Sequence, residues 1–240
     1  EPTRLRPHGE QTRDIVRLLA GITAASAAAQ LGAPRRPWLD PLPQVIDWAR
    51  LSQSAPNEEE RGGGESPAIG LADLPQHQRH SVYALNFEQL GNLALVGASG
   101  TGKSCALLTI AASLADRATE YPVHLYAIDA AGGALEALRE LPTVGAVASL
   151  SDVELVDRIL RHVSECVTER ADPFAAARAD SLASFRATPQ GAAEPRIVLF
   201  IDGFPIFRSE SEALGARSAR LTQLADIMHS GRSVGVHVVL

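Results

Sequence analysis

The glycine-rich segment over residues 97–104 constrains this chain more than any other part of its sequence. An apolar run, Leu93–Val96, precedes this segment, and a sequence with helical periodicity follows it from about Lys103 to Ala118. The pattern therefore predicts a buried strand, a tight turn and a helix in direct succession. The segment fits the pattern G-x-x-x-x-G-K-[ST] and consists of Gly97, Ala98, Ser99, Gly100, Thr101, Gly102, Lys103 and Ser104.

A strand, a glycine turn and a helix in this order are typical of a phosphate-binding site. The glycines let successive backbone N–H groups turn toward one concave site at the helix N-terminus, which favours anions. Lys103 would contact the β- and γ-phosphates of a nucleotide, and the Ser104 hydroxyl would coordinate Mg²⁺. Lys103 is the only lysine among 22 basic residues, and a planar guanidinium cannot replace its compact ammonium here. We therefore predict that residues 97–105, Cys105 included, bind ATP with Mg²⁺.

An acidic residue at the end of a second buried strand should hold the Mg²⁺ ion through its water shell. There are two candidates: Asp202, which follows the apolar run Ile197–Ile201, and Asp129, which follows a run that ends at Ile128. Asp202 is favoured because its strand is more uniformly apolar and lies one or two crossovers later in the chain. The alternative role of Asp129 is that of a turn residue at a strand end.

The residue after Asp202 is Gly203. Hydrolytic enzymes of this kind usually carry a glutamate at that position, which orients and deprotonates the attacking water. Glycine has no group for this chemistry, and a general base contributes roughly 10²–10⁴-fold in rate. We therefore assign no catalytic residue and expect slow or absent hydrolysis even with Mg·ATP bound. A displaced base, such as Glu210 or Glu212, is an alternative that no spacing argument supports.

The sequence divides into three segments. Residues 1–51 contain a predicted helix over 11–31 and a proline-rich stretch over 34–43 that cannot be helical. Residues 52–67 are polar and glycine-rich, which predicts a flexible loop. Residues 68–240 alternate apolar strands with helices, which favours a three-layer α/β fold with a mostly parallel sheet. Because the sequence starts at Glu1 and stops inside an apparent strand, we expect it to be part of a longer polypeptide.

Within residues 68–240, apolar runs predict the strands and helical periodicity predicts the helices. A capping box over Ser151–Glu154 predicts the start of the third helix. The strands are predicted over 93–96, 123–128, 196–201 and 235–240, and the helices over 103–118, 134–141, 151–170 and 216–229.

Composition excludes several classes of protein. A hydrophobic content of 45% is sufficient for a core, and a formal charge of −6 argues against broad binding of nucleic acid, so no nucleic-acid partner is expected. Two cysteines cannot form a disulfide framework or a four-cysteine metal site, and the seven histidines follow no ligand pattern. The longest weakly apolar stretch, Ile15–Leu31, contains Arg17 and is not a membrane span.

Several motifs point together to one family. The phosphate loop, Ile201–Gly203 and Gly231–Leu240 together resemble the FtsK/SpoIIIE branch of P-loop ATPases. Four further segments resemble, within that branch, the EccC-type ATPases of actinobacterial type VII (ESX) secretion. These segments are Arg36–Pro43, Gly70–Gln78, Ile128–Leu135 and Val144–Val147.

The resemblance implies a RecA-like P-loop NTPase fold in a cytoplasmic domain of a membrane-associated protein with several tandem ATPase modules. The chain would be a later module, the second in preference to the C-terminal one. Gly203 fits the family's degenerate modules, which bind ATP tightly and serve regulation or assembly. The implied partners are other modules of the same polypeptide and helical-hairpin Trp-X-Gly substrates, with membrane contact only through absent segments or partners. Trp38 would lie in an inter-module plug or, equally, in a tether packed on its own domain.

Two other functions stay open. The alternatives to an ATP-binding secretion module are an active DNA-translocating ATPase, which the charge of the chain disfavours, and an interaction scaffold that does not bind nucleotide. Arg232 also allows two interpretations: a nucleotide-contacting or trans-acting arginine, or a solvated or carboxylate-paired arginine, which is commoner before a strand.

Overall fold

A computed structural model describes residues 8–32, 38–48, 51, 65–215 and 219–240 of the chain. The chain divides into two compact units, residues 1–40 and 41–240. The first unit contains helix α1 (His8–Ala28), so the helix predicted over 11–31 begins and ends three residues earlier than expected. It ends close to Gln30, whose backbone is left-handed (φ 51°) and cannot continue a right-handed helix.

The second unit contains two sheets. Strands β1 (Ala68–Leu74) and β2 (Arg79–Ala84) form an antiparallel hairpin that sequence analysis did not predict. The main sheet is parallel, in the order β4-β3-β5-β6, and consists of β3 (Val123–Asp129), β4 (Val144–Ser149), β5 (Arg196–Asp202) and β6 (Val236–Val239).

Helices connect these strands. The α-helices are α2 (Phe87–Leu90), α3 (Lys103–Asp116), α4 (Val153–Ala177), α5 (Leu182–Arg186), α6 (Phe204–Ala213) and α7 (Ala219–Ser230). Short 3₁₀ helices cover Pro75–His77, Ala134–Glu140 and Arg232–Val234. Among the residues that the structure describes, no helix combines the length and the apolar character needed to cross a bilayer.

Strand β5 separates two hydrophobic cores. Ile197, Leu199 and Ile201 belong to a core that includes residues of α4 and α7. Val198 and Phe200 alternate with them and belong to a second core with residues of α3 and of the helix Ala134–Glu140. A strand with both faces covered is uniformly apolar because neither face meets water. The predicted three-layer α/β fold with a mostly parallel sheet is therefore confirmed.

The segment Leu93–Val96 lies beside β6 but forms only an isolated parallel bridge, between Leu93 and Val239. The N–H groups of Leu93 and Leu95 donate to the carbonyls of Val238 (2.9 Å) and Leu240 (2.7 Å). This segment runs in the same direction as the strands of the sheet. The loop that follows it therefore lies at the same sheet edge as the residues that follow β3, β4 and β5. This carboxyl edge contains the candidate site.

Helix α4 differs from the prediction at both ends. Its N-cap is Asp152, whose side chain accepts from the Leu155 N–H at 3.1 Å, so the capping box predicted over Ser151–Glu154 is wrong by one residue. The helix also continues through Pro173 to Ala177, past the predicted end at residue 170. Phe174 is buried in the core beyond the proline, and this burial offsets the hydrogen bond that proline cannot donate.

Part of the N-terminal region belongs to the second unit. Leu51 is buried against Val82 of β2, with Ile46, Ala68 and Leu71 beside it. Trp48 Nε1 donates to Asp116 Oδ2 at the end of α3, at 3.4 Å. The loop predicted over 52–67 lies mostly outside the described residues, but Ser66 and Pro67 at its end are buried.

Candidate nucleotide-binding site

The phosphate loop is an exposed turn between the segment Leu93–Val96 and α3. Gly102 precedes the helix with a left-handed backbone (φ 91°), which favours glycine. A Cβ atom at Gly97 would lie 2.7 Å from Thr101 Oγ1, so a larger residue there would disturb the turn. Ala98, Ser99 and Gly100 complete the exposed loop, and Cys105 is exposed in the first turn of α3.

The lysine of the motif folds back over its own loop. Lys103 Nζ donates to the carbonyl oxygens of Gly97 (3.0 Å) and Ala98 (2.8 Å). Thr101 Oγ1 donates to the same Ala98 carbonyl at 2.8 Å. The ammonium therefore lies against the backbone that the motif provides for phosphate oxygens.

The structure brings together the two predicted Mg²⁺ ligands. Ser104 Oγ donates to Asp202 Oδ2 at 2.6 Å, although the residues are 98 positions apart in the chain. Asp202 is the last residue of β5 and is buried. A hydroxyl and a carboxylate are the hard oxygen ligands that Mg²⁺ prefers, so the pair fits this ion.

Asp129 has a different environment from Asp202, although the two residues are register neighbours in the sheet. Its Oδ1 accepts the N–H groups of Ala131, Gly132 and Gly133, each at 3.0 Å, and its Oδ2 accepts that of Leu135 at 2.8 Å. Burial raises the pKa of Asp129, but these N–H groups outweigh it and hold the pKa below its usual range. The carboxylate is thus ionised and fully used by the backbone, which favours Asp202 as the metal ligand.

Two features of the structure disfavour a side chain at the position of Gly203. Its backbone is left-handed (φ 77°), and it caps the N-terminus of α6. A Cβ atom there would lie 2.9 Å from the Cβ of Ala131 and 3.1 Å from the carbonyl carbon of Ala130. The position therefore disfavours any side chain, including that of a glutamate.

The remaining predicted residues lie away from this pair. Glu212 binds Arg208 within α6 at 2.7 Å, Glu210 is exposed, and neither contacts Ser104 or Asp202 within the described part of the chain. Arg232 precedes β6, which places it at the amino edge of the sheet, opposite the phosphate loop. Its guanidinium donates to the Glu88 carbonyl at 3.0 and 2.8 Å, so it supports α2 and is not placed to contact a nucleotide at this site.

Sequence analysis missed an ionic cluster at that amino edge. Buried Arg196 pairs with Glu65 and Glu88, and Arg186 also pairs with Glu65. His237 accepts from Arg196 through Nε2 and donates from Nδ1 to the Gly91 carbonyl at 2.7 Å. The side chains of this cluster come from positions between 65 and 237, and no local pattern connects them. The binding of Asp129 by the loop was also missed, although two glycines after a strand-end aspartate were a usable signal.

A phosphate loop beside a strand-end aspartate, in a parallel α/β/α fold, defines a RecA-like P-loop NTPase, and solved P-loop ATPases share this fold. Residues 60–240 match the FtsK/SpoIIIE family. The chain therefore belongs to that family.

Known members of the family resemble the chain over most of its length. It is 34% identical over 222 residues to the ESX secretion system protein EccC of Thermomonospora curvata, covering 86% of this chain and 16% of that protein. It is 35% identical over 214 residues to the ESX-4 secretion system protein EccC4 of Mycobacterium tuberculosis, covering 87% and 16%. The chain thus spans about a sixth of the length of these relatives.

Two solved structures of T. curvata EccC have the same fold. One contains its ATPases 2 and 3 in complex with a signal sequence peptide, with a TM-score of 0.64 and 29% identity over 88% of this chain and 36% of that one. The other is the cytoplasmic domain of this type VII secretion ATPase, with a TM-score of 0.65 and 29% identity over 88% and 23%.

Proposed function

We propose that this chain is an ATP-binding module of a type VII secretion ATPase, which binds Mg·ATP and hydrolyses it slowly or not at all. The observation that carries the proposal is the contact between Ser104 Oγ and Asp202 Oδ2, directly beside the phosphate loop. FtsK/SpoIIIE-family P-loop ATPases use nucleotide with Mg²⁺, and this chain retains the residues required for both.

The phosphate loop would bind the nucleotide through its backbone N–H groups, with Lys103 facing the β- and γ-phosphates. Lys103 would exchange its two loop carbonyls for phosphate oxygens, which are stronger partners for an ammonium group. Ser104 and Asp202 would hold the Mg²⁺ ion, which when bound neutralises phosphate charge. The cofactors of the module are accordingly ATP and Mg²⁺.

Slow hydrolysis follows from the residue beside Asp202. Gly203 has no group to activate water, and a Cβ atom at this position would lie only 2.9 Å from the Cβ of Ala131. Binding without efficient turnover suits a module that fixes the geometry of its neighbours. We therefore assign this module a role in regulation or assembly of the secretion motor during protein export.

The resemblance to EccC proteins supports the cellular setting of the proposal. Their multi-ATPase structures support other modules of the same polypeptide as the first partners of this chain. Helical-hairpin Trp-X-Gly substrates are a further proposed partner, and a cytoplasmic position in a membrane-associated protein is the proposed location. Trp38, in the first unit, would belong to the connection between modules.

The test measures ATP binding and steady-state hydrolysis on the same preparation, with and without duplex DNA. Cys105 is exposed next to Ser104, so bound Mg·ATP should slow its alkylation, while half-buried Cys166 on α4 serves as an internal control. We expect protection of Cys105 with turnover that stays low in both conditions. Strong stimulation by DNA would instead indicate a DNA translocase, and no protection at any ATP concentration would indicate a scaffold that does not bind nucleotide.

A further inference from the structure

The loop between β3 and the helix Ala134–Glu140 lies between Asp129 and Asp202, the predicted Mg²⁺ ligand. The four N–H groups that Asp129 accepts come from Ala131, Gly132, Gly133 and Leu135, so one carboxylate orients the whole turn. Asp129 is buried, and these hydrogen bonds are charge-assisted, which makes them strong. The turn is therefore held in one conformation.

The opposite side of this turn abuts Asp202 and Gly203. The Ala130 N–H donates to the carbonyl oxygen of Asp202 at 2.9 Å. Ala131 lies so close to Gly203 that even one added carbon there would touch it, at 2.9 Å. The backbone from which the Asp202 side chain projects is thus fixed by the turn that Asp129 holds.

We infer that Asp129 is a positioning residue for Mg²⁺, which acts through the turn 130–133 to aim the carboxylate of Asp202 at Ser104. The inference rests on the proposed binding of Mg·ATP and adds a residue that contacts neither the nucleotide nor the metal. Residues that orient metal ligands in this way typically contribute roughly 10- to 100-fold to metal affinity. The phosphate loop is a separate segment, so its contact with phosphate does not pass through Asp129.

The test compares Asp129→Asn with the unmodified chain. Asparagine preserves the size of the side chain but replaces one acceptor oxygen with an NH₂ donor, so at least one of the four N–H groups loses its partner. Binding of ATP is measured with Mg²⁺ and with EDTA. Asp152→Asn is the matched control, since Asp152 also follows a strand and accepts a backbone N–H, but at the start of α4.

We expect Asp129→Asn to lose roughly 10-fold or more of the affinity that Mg²⁺ adds, with unchanged affinity in EDTA and no effect of Asp152→Asn. Faster hydrogen exchange at the amides of residues 131–135 should accompany the loss. A second variant, Gly133→Ala, preserves the carboxylate but disturbs the same turn, because Gly133 has φ 90°, which disfavours a side chain. No atom of the described residues lies within 4 Å of the added Cβ, so the disturbance comes from the backbone alone. This variant should show a smaller loss of the same kind.

The outcomes separate the inference from the proposed function. If the unmodified chain does not bind ATP, the proposed function fails. If it binds and Asp129→Asn retains the full effect of Mg²⁺, the inference is wrong. The inference is also wrong if Asp129→Asn and Gly133→Ala weaken binding equally with Mg²⁺ and with EDTA, because Asp129 would then only stabilise the fold.

Discussion

Gly203 and the turn after Asp129 share so little space that each restricts the other. The turn is held by the Asp129 carboxylate, and Ala131 fills the volume into which a side chain at 203 would extend. A left-handed backbone at Gly203 adds a second restriction. The absence of a glutamate beside Asp202 is therefore built into the local structure, and one substitution should not reverse it.

For this single residue we predict that Gly203→Glu does not raise ATP turnover. The backbone conformation costs a residue with a side chain roughly 1–2 kcal/mol, and the contact with Ala131 adds to that cost. The variant should unfold at lower urea concentration than the unmodified chain. Steady-state hydrolysis and urea unfolding measure the two effects.

Gly215→Glu is the matched control for this variant. Gly215 has a positive φ of 117°, but no atom of the described residues lies within 4 Å of its added Cβ, so it carries the backbone cost without the crowding. Hydrolysis that rises by roughly the factor expected of a general base, 10²-fold or more, in Gly203→Glu would refute the crowding argument.

The candidate site residues could be predicted from the sequence, but the contacts that hold them could not. Lys103, Ser104 and Asp202 were predictable because strand, loop and helix each leave a local pattern. Asp129 remained ambiguous because a strand-end aspartate looks the same whether it faces a metal ion or its own backbone. Only the hydrogen bonds from residues 131–135 distinguish the two.

The globular domain begins before its first strand, because the segment with residues 41–48 and Leu51 belongs to the same compact unit. Leu51 is 5% exposed and packs on the β1–β2 hairpin, and Trp48 contacts the end of α3, the helix that begins at the phosphate loop. The hairpin has only two strands, which on their own are marginally stable in water. The segment is thus an additional support for the hairpin.

We predict that Leu51→Ala lowers the free energy of unfolding by about 2–3 kcal/mol, the lower part of the range for truncating a buried leucine, because Leu51 lies in a small cluster. Val45→Ala, in the same segment at 81% exposure, should change it by less than about 0.5 kcal/mol. Urea unfolding of residues 41–240 measures both. Equal stability of the two variants would show that the segment does not support the domain.

Several elements could not be predicted from the sequence, for physical reasons. The hairpin and β4 contain small or polar residues, so their apolar patterns are weak, and long-range pairing decides their structure. Helix α6 begins at Phe204, between Gly203 and Pro205, two residues that usually interrupt secondary structure but here cap and start the helix. Strand β5 was predicted because burial on both faces leaves a continuous apolar run. Strands β3 and β6 were predicted because most of their residues are apolar, although β3 contains His124 and Tyr126 and β6 contains His237.

At the scale of the whole molecule, the two edges of the sheet have different roles. The carboxyl edge contains the phosphate loop and Asp202, and the amino edge contains the cluster of Arg196, Glu65 and His237. Burial and the nearby Arg196 lower the pKa of His237 to about 3. This histidine is therefore neutral in the folded chain and accepts a hydrogen bond from the guanidinium.

The cluster predicts a loss of stability in mild acid. A histidine whose pKa is lower in the folded state stabilises the protein fully above its unfolded pKa of about 6.5, and this contribution is lost as the pH falls toward 3. The free energy of unfolding should therefore fall by up to about 1.4 kcal/mol per pH unit below pH 6. Asp129 and Glu65, whose pKa values are also lowered, extend the loss to lower pH.

Urea unfolding between pH 7 and pH 5 measures this slope. His237→Asn removes the titrating group and should flatten the slope, although it is less stable at pH 7 because Arg196 loses a partner. The same slope in both proteins would mean that His237 does not cause the acid sensitivity.

Calorimetric titration of Mg·ATP into the chain shows whether residues 97–105 and Asp202 bind this nucleotide. Lys103→Ala and the charge-preserving Lys103→Arg are titrated alongside, because a planar guanidinium should not replace the ammonium that folds over Gly97 and Ala98. We predict saturable binding at one site in the unmodified chain and its loss in both variants. Equal affinity in the unmodified chain and Lys103→Ala would contradict the account.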